Sequence, residues 1–474
     1  MEKKLFIVAP RLPKQFFIVA LGLLGSLNRS VAQIQPLTPF QPGERVVFVG
    51  NSITEQGYYE SYIWLYYMLH FPGRRITVYN GGIGGDRAKN ILDRFDDDVL
   101  PKKPTTICLT FGMNDSGYFE FLWANADSAA KARVKESSHY FGLIREKLLQ
   151  YTSAKKIMIS SSLYDETVKN PKNYFPKKSE AMQEIAAFQE KAAQDEHWGF
   201  VDFLRPMTEI TLREQKKDST FTLTGSDRIH PGNAGHFVMA WLFLKQQGLA
   251  GQPVADMVID AAARKTERSD NCRISAVSVS PGDLQFDYLA FSLPFPQDSV
   301  PRLWDNPHRQ TEALDVIPFN EEMNREKLTV KGLGEGNFSL MMDGRPIGRW
   351  TGTQLAKGID LATLKNTPEY DQAMSVLWLN EERMGLEAKL RAYYWLQFEC
   401  FRDIGLMYAD NDAASDSVNR ISAKNWAVAS KKDNYRAARY AVVREGWQKE
   451  MDALIEEIYT ANQPRKHTIR LKAL

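Results

Sequence analysis

The 474-residue chain has only three cysteines, Cys108, Cys272 and Cys400. That excludes a disulfide framework and any Cys-rich zinc module. Cys108 lies in the apolar run 105–111 and reads as a buried core thiol. A bond between Cys272 and Cys400 stays open, since sequence does not say whether they meet. Net charge is also lacking: 60 Lys and Arg stand against 58 Asp and Glu, a balance of +2. No basic footprint therefore points to nucleic acid. Long apolar runs are missing too, and a membrane-spanning helix needs about 20 such residues. The run Phe16–Leu27 is shorter. It follows Lys3, Lys4, Arg11 and Lys14 and precedes Ser30-Val31-Ala32, the pattern of a cleaved export signal. Residues 1–32 are expected to be that signal, with an exported, periplasmic or extracellular product and no integral membrane segment after cleavage. What is present is ordinary for a globular protein, 43% hydrophobic and 25% charged, which leaves ample surface for a core.

From Arg45 to about Gly248, short apolar runs alternate with longer amphipathic ones. Strands are expected at Arg45–Val49, Ile76–Tyr79, Thr106–Phe111, Lys156–Ser160 and Phe200–Phe203. Helices are expected at Glu60–His70, Arg87–Leu100, about 129–150, about 178–196 and Pro231 to about Gln247. Strict alternation predicts an α/β fold with a flavodoxin-like doubly wound parallel sheet, whose ligands bind beyond the C-terminal strand ends. After Gly251, alternating stretches and turns predict a small antiparallel β region. From about Pro368 the spacing of Val376, Leu379, Leu386, Leu390 and Tyr393 predicts helix. The domains are thus read as 1–32, 33–251 (catalytic), 252–365 (accessory, with antiparallel β) and 366–474 (helical), with a frayed basic tail after Pro464.

Four short segments carry chemistry, each beside a predicted strand end or helix start. Gly50-Asn51-Ser52-Ile53-Thr54 follows the first strand and exposes a hydroxyl, with a backbone N–H near a helix N-terminus. Asn80-Gly81-Gly82-Ile83-Gly84-Gly85-Asp86 follows the second and allows bare N–H groups to approach a ligand. Gly112-Met113-Asn114-Asp115 follows the third and supplies a neutral amide donor. Asp227-Arg228-Ile229-His230-Pro231 precedes the last helix. Asp and His three apart set a carboxylate on the imidazole and leave the other ring nitrogen free as a base. Pro231 fits the first helical position. Taken singly, each segment is also a common cap or turn.

Together and in this order, the four blocks resemble those of the SGNH (GDSL-type) hydrolase superfamily over roughly Val46 to Leu244. The resemblance implies a serine esterase with Ser52 as nucleophile and Asp227 and His230 as acid and base. The implied oxyanion hole comprises the Ser52 N–H, the Gly85 N–H and the Asn114 amide. Asn51 stands where the family usually has Asp, which implies local hydrogen-bond changes. The stretches 328–333 (LTVKGL), 338–344 (FSLMMDG) and 355–361 (LAKGIDL) are similar to the C-terminal part of some exported bacterial members, and imply a sugar-degrading setting.

No cofactor and no metal is implied; His230 and His236 are six residues apart, which is not the spacing of a helical two-His site. His236 reads as a helix residue, and His70, His139 and His197 as structural or surface groups. Tyr58, Tyr59, Tyr118, Phe119 and Trp123 follow the nucleophile and amide blocks; Tyr58, Tyr118 and Trp123 are the candidate aromatic rim for a sugar face, against the alternative that such rings fill the core. The expected substrate is an acylated carbohydrate, deacetylated by a carboxylic ester hydrolase. The alternatives are a lysophospholipase or thioesterase on longer chains and a non-catalytic carbohydrate-binding protein. A metallophosphoesterase ranks last, for want of an Asp-x-His block.

Overall fold

A computed structural model describes residues 36–151, 154–303 and 306–474. The expected signal segment, 1–32, lies outside the described residues.

Five strands build the first sheet: β1 (Arg45–Gly50), β2 (Thr77–Gly82), β3 (Thr106–Thr110), β4 (Lys155–Ile159) and β5 (Gly199–Val201). They pair in parallel in the order β2-β1-β3-β4-β5. In β1, alternate residues feed two cores. Val46 and Phe48 join Trp64, Phe237 and Phe243 on one face, while Val47 and Val49 join Ile91, Phe141 and Ile185 on the other. Covering both faces explains why these strands read as unbroken apolar runs. The covering helices are α1 (Ser52–Glu55), α2 (Tyr58–His70), α3 (Ala88–Arg94), α4 (Ala126–Gln150), α5 (Lys178–Asp195), α6 (Leu204–Gln215) and α7 (Asn233–Gln246). The order in which strands are added reverses between β1 and β3, and the crevice beyond their C-terminal ends is where ligands bind in such sheets.

Two boundaries differ from expectation. The helix expected over Arg87–Leu100 is α-helical only to Arg94 and continues as a π turn (Phe95–Val99) and a 3-10 turn (Leu100–Lys102). α7 starts at Asn233, not Pro231; Pro231 instead bridges to Thr224 and closes the loop that carries His230.

One mixed and one antiparallel sheet follow. The strands are β6 (Ala255–Asp260), β7 (Lys265–Asp270), β8 (Cys272–Ser280), β9 (Asp283–Ala290), β10 (Glu326–Lys331), β11 (Asn337–Met342), β12 (Arg345–Thr351), β13 (Ile359–Asp360) and β14 (His467–Ala473). They form β13-β10-β6-β7 and β12-β11-β14-β9-β8. The region is not wholly antiparallel, because β6 and β10 pair in parallel. The basic tail is not frayed: β14 lies between β9 and β11. His467, Ile469 and Leu471 point inward, while Arg470 and Lys466 meet Asp283 and Asp287 outside. Its basic composition belongs to the solvent face of an alternating strand.

Short helices α8 (Phe319–Met323) and α9 (Gly352–Lys357) precede the long α10 (Pro368–Leu396), then α11 (Asp412–Ser422), α12 (Trp426–Ala438) and α13 (Ala441–Ala461). Thr367 caps α10 by accepting from Tyr370 N, with Pro368 at the first helical position. α2 is buried nearly all round because it lies among the sheet, α7 and α10. No described helix is long and apolar enough to cross a membrane. The three cysteines are buried and unpaired.

Candidate active site

β1 ends at Gly50, and the Asn51 side chain accepts the Ile53 N–H at 3.0 Å, which starts α1 at Ser52. An amide in place of aspartate therefore performs the cap. The short helix can lie against β2 because position 82 is glycine: a Cβ there would come within 2.1 Å of the Glu55 nitrogen.

Ser52 Oγ lies 2.8 Å from His230 Nε2, and His230 Nδ1 lies 2.5 Å from Asp227 Oδ2. The other Asp227 oxygen accepts the N–H groups of Ile229 and His230 at 2.9 and 3.0 Å, so the carboxylate shapes the turn that carries its partner. Burial pushes the Asp227 carboxyl upward, but the hydrogen bond and charge of His230 and these two N–H groups hold it below the ordinary aspartate value. His230 and Asp227 are each about one-third exposed, 34% and 33% by side chain, so the chain of contacts opens to solvent.

The Gly and Asn blocks meet beside Ser52. Gly85 adopts the left-handed region, φ +95°, which favours glycine. Asn114 Nδ2 donates to Asp86 O at 2.9 Å, and Asn114 Oδ1 accepts the Tyr118 hydroxyl at 2.6 Å. Both ends of the amide are thus fixed, with one Nδ2 hydrogen left over. Asp115 is buried and ties its turn by accepting from Gly112 N, Ala88 N and Ser137 Oγ. Lys178, also buried, reaches from α5 to Met113 O, Ser116 Oγ and Gly117 O, and its ammonium lies 3.9 Å from the centre of the Tyr118 ring.

The aromatic residues separate. Tyr118 orients Asn114, Trp123 is exposed, and Tyr58 is half-buried against Tyr62 and His236. Tyr59 belongs to the core, where its hydroxyl meets Thr54 Oγ1. His236 is buried, bonds Gln56 Oε1 through Nε2 at 2.8 Å, and is pushed down to about 3 by burial. Among the described residues no group of three or more His, Cys, Asp or Glu has metal-binding geometry.

Arg228, inside the Asp-x-x-His block, went unnoticed in the sequence. At φ +66° it turns a buried guanidinium onto the carbonyls of Asp165, Asn170 and Lys172, pinning the loop of Asp227 and His230. Its position between the two triad-type residues was the available signal; its backbone conformation was not.

Residues 48–237 match the GDSL-like lipase/acylhydrolase family, and residues 374–463 match the diltiazem deacetylase C-terminal helical domain. The solved structure of a gut microbial diltiazem-metabolizing enzyme is 41% identical, with a TM-score of 0.91, over 93% of this chain and 100% of that one. An acetylxylan esterase of Geobacillus stearothermophilus is 25% identical over 223 residues, 44% of this chain and 94% of its own length. The solved structure of that bacterium's acetylxylan esterase aligns over 44% of this chain at 21% identity, with a TM-score of 0.34.

Proposed function

Because the chain belongs to the SGNH (GDSL-type) hydrolase superfamily and is a carboxylic ester hydrolase, we propose that it removes small acyl groups, acetyl foremost, from carbohydrate through Ser52, His230 and Asp227. The observation that carries the triad is the unbroken hydrogen-bond chain from Asp227 through both nitrogens of His230 to Ser52 Oγ. We place the reaction outside the cytoplasm, on the signal-like pattern of residues 1–32.

As Ser52 Oγ bonds to the ester carbonyl carbon, His230 Nε2 takes its proton, and Asp227 stabilises the imidazolium. The oxyanion receives the N–H groups of Ser52 and Gly85 and the Nδ2 hydrogen that Asn114 does not spend on Asp86. The carbon–oxygen bond to the alcohol then breaks, and Nε2 returns the proton to the leaving oxygen. Water attacks the acyl-serine, His230 takes its proton and passes it back to Oγ, and acetate leaves.

Acetyl ester hydrolysis is supported by relatives named for two acetylated substrates, acetylxylan and diltiazem. The second reading, the acetyl ester of an aromatic drug-like molecule such as diltiazem in place of an acetylated sugar, is favoured by the 41% identity over nearly the whole chain. Acetate release from acetylated xylo-oligosaccharides and from diltiazem, beside aryl esters from acetyl to dodecanoyl, separates these readings. Faster hydrolysis of dodecanoyl than acetyl esters would overturn the deacetylase reading in favour of a longer-chain lipase or thioesterase. A Ser52→Ala variant as fast as its parent would overturn the triad.

A further inference from the structure

The helical C-terminal half reaches the hydrolytic centre at one loop. Trp395 of α10, 9% exposed, donates its indole Nε1–H to Gly84 O at 2.9 Å. The Gly84 N–H is held from the other side by Glu55 Oε2 at 2.5 Å. Glu55 lies three residues after Ser52, at the end of α1. Arg391, one turn before Trp395, donates Nε to Gly82 O at 3.0 Å and pairs with Asp98. Lys431 of α12 lies 4.6 Å from the centre of the Trp395 ring and 4.0 Å from Glu55 Oε1, so the indole is held between the loop and a cation.

The geometry of the peptide bond makes this contact more than packing. Gly84 O and the Gly85 N–H belong to one planar unit, and the described residues contain no cis peptide. In a trans unit the carbonyl and the N–H point in opposite directions. Fixing Gly84 O on the indole therefore fixes the direction of the Gly85 N–H, which points away from Trp395. Gly85 itself faces open space: a Cβ there would meet nothing within 4 Å. Glycine at both 84 and 85 leaves the loop soft on its own account, since glycine samples more backbone conformations than any other residue.

We infer that Trp395, backed by Lys431, is a positioning residue that aims the Gly85 N–H at the developing oxyanion, so that the helical half serves the hydrolytic step itself. The inference rests on the oxyanion assignment of Gly85 made above. It predicts that the indole N–H acts on the transition state and not on substrate binding.

The test is steady-state kinetics on an aryl acetate with the full chain. Trp395→Phe keeps a ring beneath Lys431 and deletes the donor, and kcat is expected to fall about fivefold, the worth of one neutral hydrogen bond, with KM unchanged. Lys431→Met, which leaves the indole in place, should lower kcat by about twofold to fivefold, again with KM unchanged. Trp426→Ala, on the same helical half but 80% exposed and away from the loop, should match the parent. If Trp395→Phe fails to give a cooperative melt, Lys431→Met decides the matter. A rise in KM with kcat unchanged, or parent-like kinetics in both variants, would overturn the inference. Ser52→Ala separates the two levels. If it is inactive while Trp395→Phe and Lys431→Met equal the parent, only the positioning role fails; if it is active, the hydrolytic assignment beneath it fails.

Discussion

Tyr118 offers the sharpest test of how the Asn114 amide is held. Its hydroxyl donates to Asn114 Oδ1 at 2.6 Å, while Asn114 Nδ2 donates to Asp86 O at 2.9 Å. Rotating the amide by half a turn would set Oδ1 against both Asp86 O and the oxyanion, so the phenol hydrogen bond selects the orientation that presents a donor. Tyr118→Phe keeps the ring on Lys178 and Phe175 but removes that selection. One neutral hydrogen bond contributes about 0.5–1.5 kcal/mol, which predicts a fall in kcat of roughly twofold to twelvefold. Loss of the donor itself in Asn114→Ala should cost about 10²–10³ in kcat, or roughly 3–4 kcal/mol. Because Tyr118 acts through Asn114, the two losses should not add: in the Asn114→Ala background, Tyr118→Phe should change kcat by less than about twofold. Initial rates on p-nitrophenyl acetate over a range of concentrations give both constants for all four proteins. A raised KM with unaltered kcat would mean that the ring is a platform for the substrate. Full additivity in the double variant would mean that Tyr118 does not work through the amide. Either result refutes the reasoning.

Two further predictions concern stability. Asp98 is fully buried and meets Arg94, Arg391 and Lys102, and these charges hold its carboxyl well below the usual aspartate range despite burial. Asp98→Ala leaves buried Arg391 without its paired carboxylate and Arg94 with Asp86 alone, and should cost about 3–5 kcal/mol; a loss under 1 kcal/mol in urea unfolding would show that the cluster relaxes by taking up water. His70 is buried, stacked on Tyr66 at 4.0 Å with Nε2 unpartnered, and burial pushes it down to about 3. The unfolded chain protonates this residue near pH 6.5 while the folded one does not, so its contribution is intact above that value and is lost as pH falls toward 3. Between pH 7 and pH 5 the parent should therefore lose about 2 kcal/mol more than His70→Phe, measured as the difference between their unfolding free energies at the two values; equal losses would count against a neutral, buried His70.

The α/β half of the molecule was legible because its signals are local. Each parallel strand is covered on both faces and so reads as a continuous apolar run, and each chemical block follows directly from a strand end. The serine, histidine and aspartate that the structure brings into hydrogen-bond contact stood out as candidates by their spacing beside strand ends, and the family resemblance implied their roles. Failures came where the deciding contact is distant in sequence. β14 looked like a loose basic tail because its partners, β9 and β11, lie well over a hundred residues upstream. The β7 segment KTERSD, exposed along its length, carries no apolar period at all. The π turn after Arg94 carries Asp98, which Arg391 of α10 binds, again a contact that no local pattern encodes.

The same long-range logic explains why so large a helical half accompanies a sheet that holds all the residues assigned to chemistry. β2 is an edge strand, and an edge presents unpaired N–H and C=O groups. In this protein those groups are met by side chains from the C-terminal helices. The Tyr459 hydroxyl bonds both the nitrogen and the carbonyl of Ile76, just before the strand; Glu387 accepts the Asn80 N–H; and Arg391 donates to Gly82 O. The row continues past the strand end with Trp395 on Gly84 O. A covering element that begins by satisfying a sheet edge thus arrives, at the end of that edge, on the loop that carries Gly85. Edge protection and loop positioning are consecutive contacts along one face of α10. A chain that needs the first contact to bury its edge acquires in the second a handle on the oxyanion donor.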